Sequence, residues 1–415
     1  MFLFYPLYIE PGTGSALFSI LIGAVATVYF LSRALIIKLK IIISGGKISK
    51  SAGAENPYVI YNEGSQYSNV FKPVLDEFEA RNVNLLYLSS DKNDPLLDEP
   101  YNFVKKEFIG EDNKAFLRLN MLRAGVVLMT TPCLDIYQLK RSKGVRHYSH
   151  VLHTTTDAST YHLFGTDYFD SLLLTGTHQA GDIRILEEKR NLMAKKLITV
   201  GCTYLDVFAE RIKQIPAEEN HPFTVLVSPS WGPSGILAYF GEKLLDPLVK
   251  TDFRIIVRPH PQSKKSEAHI LEKLETKYKD SSNLQWDYER ENIYSLAKSD
   301  IMISDFSGIV FDYTFLFDKP LLYIMQGFDL TPTDADDLGE DAIENLWQFK
   351  VLKEIGIQLK EEDFSCIGDI IKNVSNSSEL RQARQKTKDM AWQYRGEAGK
   401  RIADFILSLN EETEN

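Results

Sequence analysis

The sequence predicts an α/β chain in which two Rossmann-like domains face each other across a cleft, preceded by one N-terminal transmembrane helix. Three observations carry this reading. Short apolar runs of strand length alternate with amphipathic stretches from Pro57 onward, the pattern of a parallel sheet covered by helices. A polar break with two prolines, Lys213–Phe223, divides that alternation into two series. Finally, the 22 residues between Glu10 and Arg33 carry no charge. A length of 415 residues fits two to three domains, and 44% apolar content is enough for more than one core.

Residues 1–50 read as a membrane anchor. The run contains SALFSILIGAVATVYFLS, and a span of about residues 14–37 is long enough to cross a bilayer core as a helix. The stretch ALIIKLKIIIS extends it, with Lys38 and Lys40 placed to reach the headgroups. Arg33, Lys38, Lys40, Lys47 and Lys50 lie C-terminal to the start of the run, so the positive-inside rule puts residues 50–415 in the cytoplasm. A cleaved signal peptide would need basic residues before a shorter run, and none is present. Arg33, Lys38 and Lys40 also argue against a buried core helix. Ser49–Asn56 is a polar linker of small residues.

Residues 55–215 form the first Rossmann-like domain in this reading. PYVIY, NLLYLSS, AGVVLMTTP, HYSHVLH, DSLLLTG and KLITVG are its strands, and VFKPVLDEFEARN is an amphipathic helix. Residues 222–378 form the second domain, with strands at TVLVSPS, FRIIVRPHP, NLQWD, DIMISDFSG and KPLLYI. Residues 379–415 read as charged C-terminal helices.

The formal net charge is −10, but residues 1–50 carry +4, which leaves −14 on the other 365. So acidic a body argues against a nucleic-acid partner. Cys133, Cys202 and Cys366 are too few and too far apart for a disulfide framework or a metal-ligand pair, and they fit a reducing compartment. There is no Walker A motif and no full G-x-G-x-x-G.

Four segments fall at predicted strand ends, where ligands bind in open α/β sheets. In DIMISDFSGIVFDYTFLFDKPLLYI, Ser304, Asp305 and Ser307 sit at a helix start suited to phosphate, and Gly308 permits close backbone approach. Asp312 could reach a ribose hydroxyl, and ordinary helix capping competes as the plainer explanation of this turn. Arg258-Pro259-His260-Pro261 is a rigid loop ending a strand and followed by Lys264 and Lys265, suited to a diphosphate or simply a basic turn. In RHYSHVLHTTTD, strand alternation separates His147 and His153 from His150, which excludes a three-histidine metal site. His153 at the strand end is a candidate general base, although a lone histidine is usually structural. VLVSPSWGPSG turns Ser230 toward the same cleft, or is an ordinary strand-to-helix loop. The acid pairs Glu289/Glu291 and Asp312/Asp318 have no distinctive spacing.

Taken in order, VLHTTTD, VGCTYLD, VSPSW, VRPHP, SDFSGIVFDYTFLFDKP and YRGEAGKRIADFIL resemble the CDP-glycerol glycerophosphotransferase family, the teichoic-acid primases and polymerases. The resemblance covers roughly residues 55–410 and implies a glycosyltransferase-B-like fold. It implies that His153 is the base of the N-terminal domain, and that Arg258, His260 and Ser307 contact the donor diphosphate. The expected activity moves glycerol phosphate, or a related polyol phosphate, from a CDP-activated donor to a hydroxyl of a lipid-linked saccharide or cell-surface polymer. His153 and His260 would be catalytic, and Arg258, Ser304, Asp305, Ser307, Gly308, Ser230 and Asp312 would bind the donor. No cofactor or protein-bound metal is expected, though a divalent cation could assist the diphosphate. Three departures from the family pattern stand out: Leu152-His153-Thr154 stands in place of Trp-His-Gly, Gly232 replaces an arginine, and Gly308 replaces a second serine. They mark a divergent branch. A nucleotide-sugar transferase or epimerase of the same fold, or an inactive scaffold of a polysaccharide assembly complex, are the alternative readings.

Overall fold

Thirteen strands of the computed structural model form two sheets among the described residues, which are 56–216, 221–289, 291–325, 327–339, 341–375 and 377–411. The first sheet holds β1 (Asn56–Asn62), β2 (Leu85–Ser89), β3 (Val104–Phe108), β4 (Arg123–Met129), β5 (Gly144–Val151), β6 (Ser171–Leu174) and β7 (Lys196–Thr199). Their order is β3-β2-β1-β4-β5-β6-β7. The second holds β8 (Thr224–Val227), β9 (Arg254–Val257), β10 (Leu284–Trp286), β11 (Ile301–Ser304), β12 (Leu321–Tyr323) and β13 (Ile357–Gln358). Their order is β10-β9-β8-β11-β12-β13. Neighbouring strands are parallel throughout, with Val59 level with Leu86 and Val127, and Val225 level with Ile255 and Ile301.

Both sheets are apolar on both faces, which is why their strands read as nearly continuous apolar runs. Tyr58 and Ile60 enter one core of the first sheet, and Val59 and Tyr61 the other. In the second sheet Val225 and Val227 face one side and Leu226 the other. The two strands that the apolar pattern does not reveal, β3 and β13, are edge strands. β3 (VKKEF) buries only Val104, and β13 (IQ) is exposed along its length, so neither carries an apolar run.

The order of each sheet reverses once, between β1 and β4 and between β8 and β11. Helices pass to opposite faces on either side of such a switch, which opens a crevice at the carboxyl ends of those strands. The turns after β8, β9 and β11 carry Ser230, Arg258 and the Asp305–Gly308 segment.

The C-terminal helices divide between the two sheets. Ser378–Ala391 packs with the second sheet, and Ala391 and Trp392 join a core there. The chain then returns, and Ile402, Ala403, Ile406 and Leu409 of helix Ala398–Glu411 complete a core of the first sheet. Asp206 fastens this return: its carboxylate accepts from Trp392 Nε1 and Gly396 N at 2.8 Å and from Ala398 N at 3.2 Å. Helix Ala398–Glu411 crosses helix Ser68–Ala80 so closely that a Cβ on Gly399 would come within 2.7 Å of Pro73. Among the described residues no helix is long and apolar enough to cross a membrane. The span predicted at residues 14–37 lies outside them.

Candidate active site

The cleft of about 860 Å³ at these strand ends has walls from both sheets. Arg258 leaves β9 on the second-sheet side. Its guanidinium donates to Asp287 Oδ2 at 2.6 Å and to the Glu289 carbonyl at 2.7 Å. Burial works to raise the Asp287 carboxyl, but hydrogen bonds from Ser295 and the Glu289 N–H, with Arg258, hold it below the usual carboxylate range. Two residues on, Pro259 and Pro261 bracket His260 on the same wall. His260 Nδ1 accepts from Gln262 N at 3.1 Å, so its neutral ring carries the proton on Nε2. Burial lowers its pKa, against an opposing pull from Glu267. His260 is therefore arranged as a hydrogen-bond donor through Nε2.

The turn after β11 is built on Asp305, which is fully buried. Its carboxylate accepts from Ser230 N at 3.0 Å, Ser230 Oγ at 2.9 Å and Ser307 N at 3.1 Å. Burial pushes its pKa up to about 6. Ser304 is equally buried, and its hydroxyl donates to the Ser228 carbonyl at 2.6 Å. Both side chains were expected to touch the donor. The structure corrects this: they turn inward and hold the two loops together, because the Ser304 hydroxyl is committed to a backbone carbonyl and the Asp305 carboxylate to two backbone N–H groups and the Ser230 hydroxyl. Ser307 does line the cleft, with Ile309 of helix Ile309–Phe317. Gly308 at the helix start has no side chain to cap it, and Asp305, through its bond from the Ser307 N–H, serves the cap-like role one turn earlier. Gly308 has φ −59, and an added Cβ would meet only the Thr156 methyl at an ordinary 3.8 Å, so neither the backbone nor the packing of the protein itself requires glycine there.

On the first-sheet side, Ser65, Gln66, Ser68 and Asn69 form the wall. Asn62 and Asp94 anchor it from beneath: Asn62 Nδ2 donates to Asp94 Oδ2, and Ser68 Oγ to Asp94 Oδ1, both at 2.8 Å. His153 stands behind this wall just beyond β5. Its ring meets Tyr67 edge-on at 4.9 Å between centroids, and its Nδ1 is 3.2 Å from the Tyr161 hydroxyl. Burial depresses the imidazole pKa to about 4, so the ring is neutral at pH 7. The Thr-rich loop that follows is held by Gln179, whose side-chain amide donates to the Thr154 and Thr156 carbonyls at 3.0 and 2.7 Å.

Asp312 does not itself line the cleft but lies 3.5 Å from the hydroxyl of Tyr204, which does. Burial pushes its carboxyl up to about 7, and the Tyr204 hydroxyl acts the other way. Arg258, His260 and Ser307 thus share one cavity. Ser230 adjoins it through Pro229, and Asp312 through Tyr204. His153 does not line the cavity; it meets Tyr67, which stands in the chain between the lining residues Gln66 and Ser68. Tyr204 falls in VGCTYLD but was given no role there, and the lining residues Phe208, Arg211 and Asn292 carried no motif, since they come from the rest of helix Thr203–Ile212 and from an otherwise ordinary loop. Gly232, where an arginine was expected, has φ +93, and its N–H donates to Glu267 at 2.9 Å. A side chain at that left-handed position would be strained, so this loop is built around glycine. Among the described residues no cluster of three His, Cys, Asp or Glu is placed to hold a metal ion.

Residues 183–408, more than half of the chain, match the family described as CDP-Glycerol:Poly(glycerophosphate) glycerophosphotransferase. Solved structures share the fold. A variant of the wall teichoic acid polymerase TagF soaked with CDPG superposes with a TM-score of 0.56 at 13% identity, covering 92% of this chain and 98% of that one. The Methanocaldococcus jannaschii UDP-GlcNAc 2-epimerase, in complex with UDP-GlcNAc and UDP, gives 0.56 at 13% identity, covering 85% and 99%. A putative UDP-N-acetylglucosamine 2-epimerase from Listeria monocytogenes gives 0.57 at 13% identity, covering 86% and 98%. At such identities the likeness is one of architecture, and it shows a glycosyltransferase-B-like fold. Among curated protein sequences none matches this chain.

Proposed function

The chain belongs to the CDP-glycerol:poly(glycerophosphate) glycerophosphotransferase family, and from that membership we propose that it transfers glycerol phosphate from CDP-glycerol to a hydroxyl of a lipid-linked saccharide or cell-surface polymer. The observation that carries this reading is one cleft with Arg258, His260 and Ser307 on one wall and His153 behind the other. The acceptor oxygen attacks the phosphorus that bears glycerol, and the bond from that phosphorus to the CMP oxygen breaks. The acceptor proton passes to the neutral His153, and CMP leaves with the bonding electrons. His260 Nε2–H, the Arg258 guanidinium and the first N–H groups of helix Ile309–Phe317 stabilise the charge that develops on the diphosphate. Asp305 acts by positioning Ser230 and Ser307, and Ser304 by fixing the Ser228 carbonyl at the start of the same loop. Asp312 with Tyr204 orients the nucleotide sugar ring. Attachment to the cytoplasmic face of the membrane through residues 14–37 is part of this proposal and rests on the uncharged run and the cations that follow it.

The test is CMP release from CDP-glycerol by the full chain in membranes that contain acceptor. His153→Gln, which keeps a polar side chain in place of the ring, is expected to lower the rate by about 10²- to 10⁴-fold while CDP-glycerol binding is retained. A wild-type chain that releases UMP or UDP from sugar nucleotides but no CMP from CDP-glycerol would overturn the reading.

A further inference from the structure

We propose that Arg211 binds the diphosphate of the donor and that Glu291 is its exchangeable counter-ion. This inference rests on the donor reading above and extends it to a residue that no motif marks. Arg211 projects from helix Thr203–Ile212 into the cavity that Arg258, His260 and Ser307 also line. Its guanidinium lies over the Phe208 ring, 5.1 Å from the centroid, and donates to Glu291 Oε2.

The two cleft arginines are held very differently. The Arg258–Asp287 pair is nearly dry, with side chains 9% and 10% exposed. Separating it would leave a buried charge unpaired, which is strongly unfavourable. In the Arg211–Glu291 pair the side chains are 31% and 42% exposed. An exposed pair contributes little, and water solvates the carboxylate once it is released. Each arginine is already neutralised by its own carboxylate, yet a CDP-alcohol brings two negative charges into the cleft. Asp287 stays with Arg258, so Arg211 is the cation that can exchange its carboxylate partner for phosphate oxygens. The planar guanidinium fork suits two such oxygens, and stacking on Phe208 fixes its plane beforehand.

The full chain in detergent is titrated with CDP-glycerol and, separately, with cytidine, which lacks the phosphates. Arg211→Ala is expected to weaken CDP-glycerol binding about 10- to 100-fold, the loss of a charge-assisted contact, with cytidine affinity unchanged. Arg211→Lys should recover part of the loss. Glu291→Gln should tighten CDP-glycerol binding, because it removes the competitor for Arg211. The proposal is overturned if Arg211→Ala binds CDP-glycerol as wild type does, if it loses cytidine equally, or if Glu291→Gln weakens the donor. A wild-type chain that binds cytidine but not CDP-glycerol overturns the donor reading as well, so the two failures are told apart.

Discussion

His150 is fully buried between Tyr161 and Phe169, with ring centroids 5.3 and 4.9 Å away. Neither of its ring nitrogens makes a well-formed hydrogen bond among the described residues. Burial, with a smaller push from His153 and a weak opposing pull from the Thr131 backbone, lowers its pKa to about 3. The unfolded chain binds a proton near pH 6.5, so below that pH it holds more protons at this site than the folded chain does. Stability therefore falls as the pH drops from 6.5 toward 3. At pH 8 the ring is neutral in both states, and at pH 5 the linkage costs about 2 kcal/mol. Urea unfolding of wild type and His150→Phe at the two pH values tests this. Whatever packing offset the variant shows at pH 8, its stability relative to wild type should improve by about 2 kcal/mol at pH 5. A gap that does not change with pH would mean that the folded protein satisfies the protonated ring. His153 and His178 are lowered for the same main reason, each to about 4, and the His150 variant leaves both in place.

At the scale of elements, the connections between the two sheets are specific and polar. Helix Trp347–Ile355 begins on the second sheet's side, and its cap comes from the loop after β5. Asp157 accepts from Trp347 N at 3.0 Å and Gln348 N at 2.7 Å, while Gln348 Oε1 accepts from Asp157 N at 3.3 Å. A second tie runs through Asp334, which accepts from Phe164 N at 2.6 Å and Arg190 at 2.8 Å and donates its own N–H to the Tyr161 carbonyl at 2.9 Å. Tyr161 in turn meets His153. The placement of the candidate base thus depends on contacts from the other half of the fold. Asp157→Ala removes a buried cap and is expected to cost about 2 kcal/mol by urea unfolding, with Asp157→Asn recovering part of the loss. An unchanged midpoint would show that the helix start finds another acceptor.

For the whole molecule, the last helix matters more than its position in the chain suggests. Ile402, Ile406 and Leu409 are buried against residues that include Tyr58, Phe71 and Leu75. Each such aliphatic contributes about 1.5–3 kcal/mol on burial, so the three are worth roughly 6 kcal/mol. That approaches the net stability of a typical folded protein. A chain ending at Gly396 should therefore lose its cooperative thermal transition, even though every strand of both sheets is present. A sharp transition in that truncated chain would show that the first sheet closes its core without the helix.

Chain order and composition by themselves determined that two parallel sheets would form, since buried parallel strands on both sides of a polar break leave near-continuous apolar runs. They also placed Arg258, His260 and Ser307 at strand ends, where a shared crevice follows from topology. Edge strands β3 and β13 were not legible, because a strand half open to water needs no apolar run. Only the tertiary structure decided that Ser304 and Asp305 point inward, because side-chain direction within a turn depends on which neighbouring backbone donors and acceptors are in reach. It alone brought Arg211 into the cavity that Arg258 lines, from distant parts of the chain, and returned helix Ala398–Glu411 to the first sheet. Those outcomes arise from contacts across long sequence separations, and no local spacing of residue types records them.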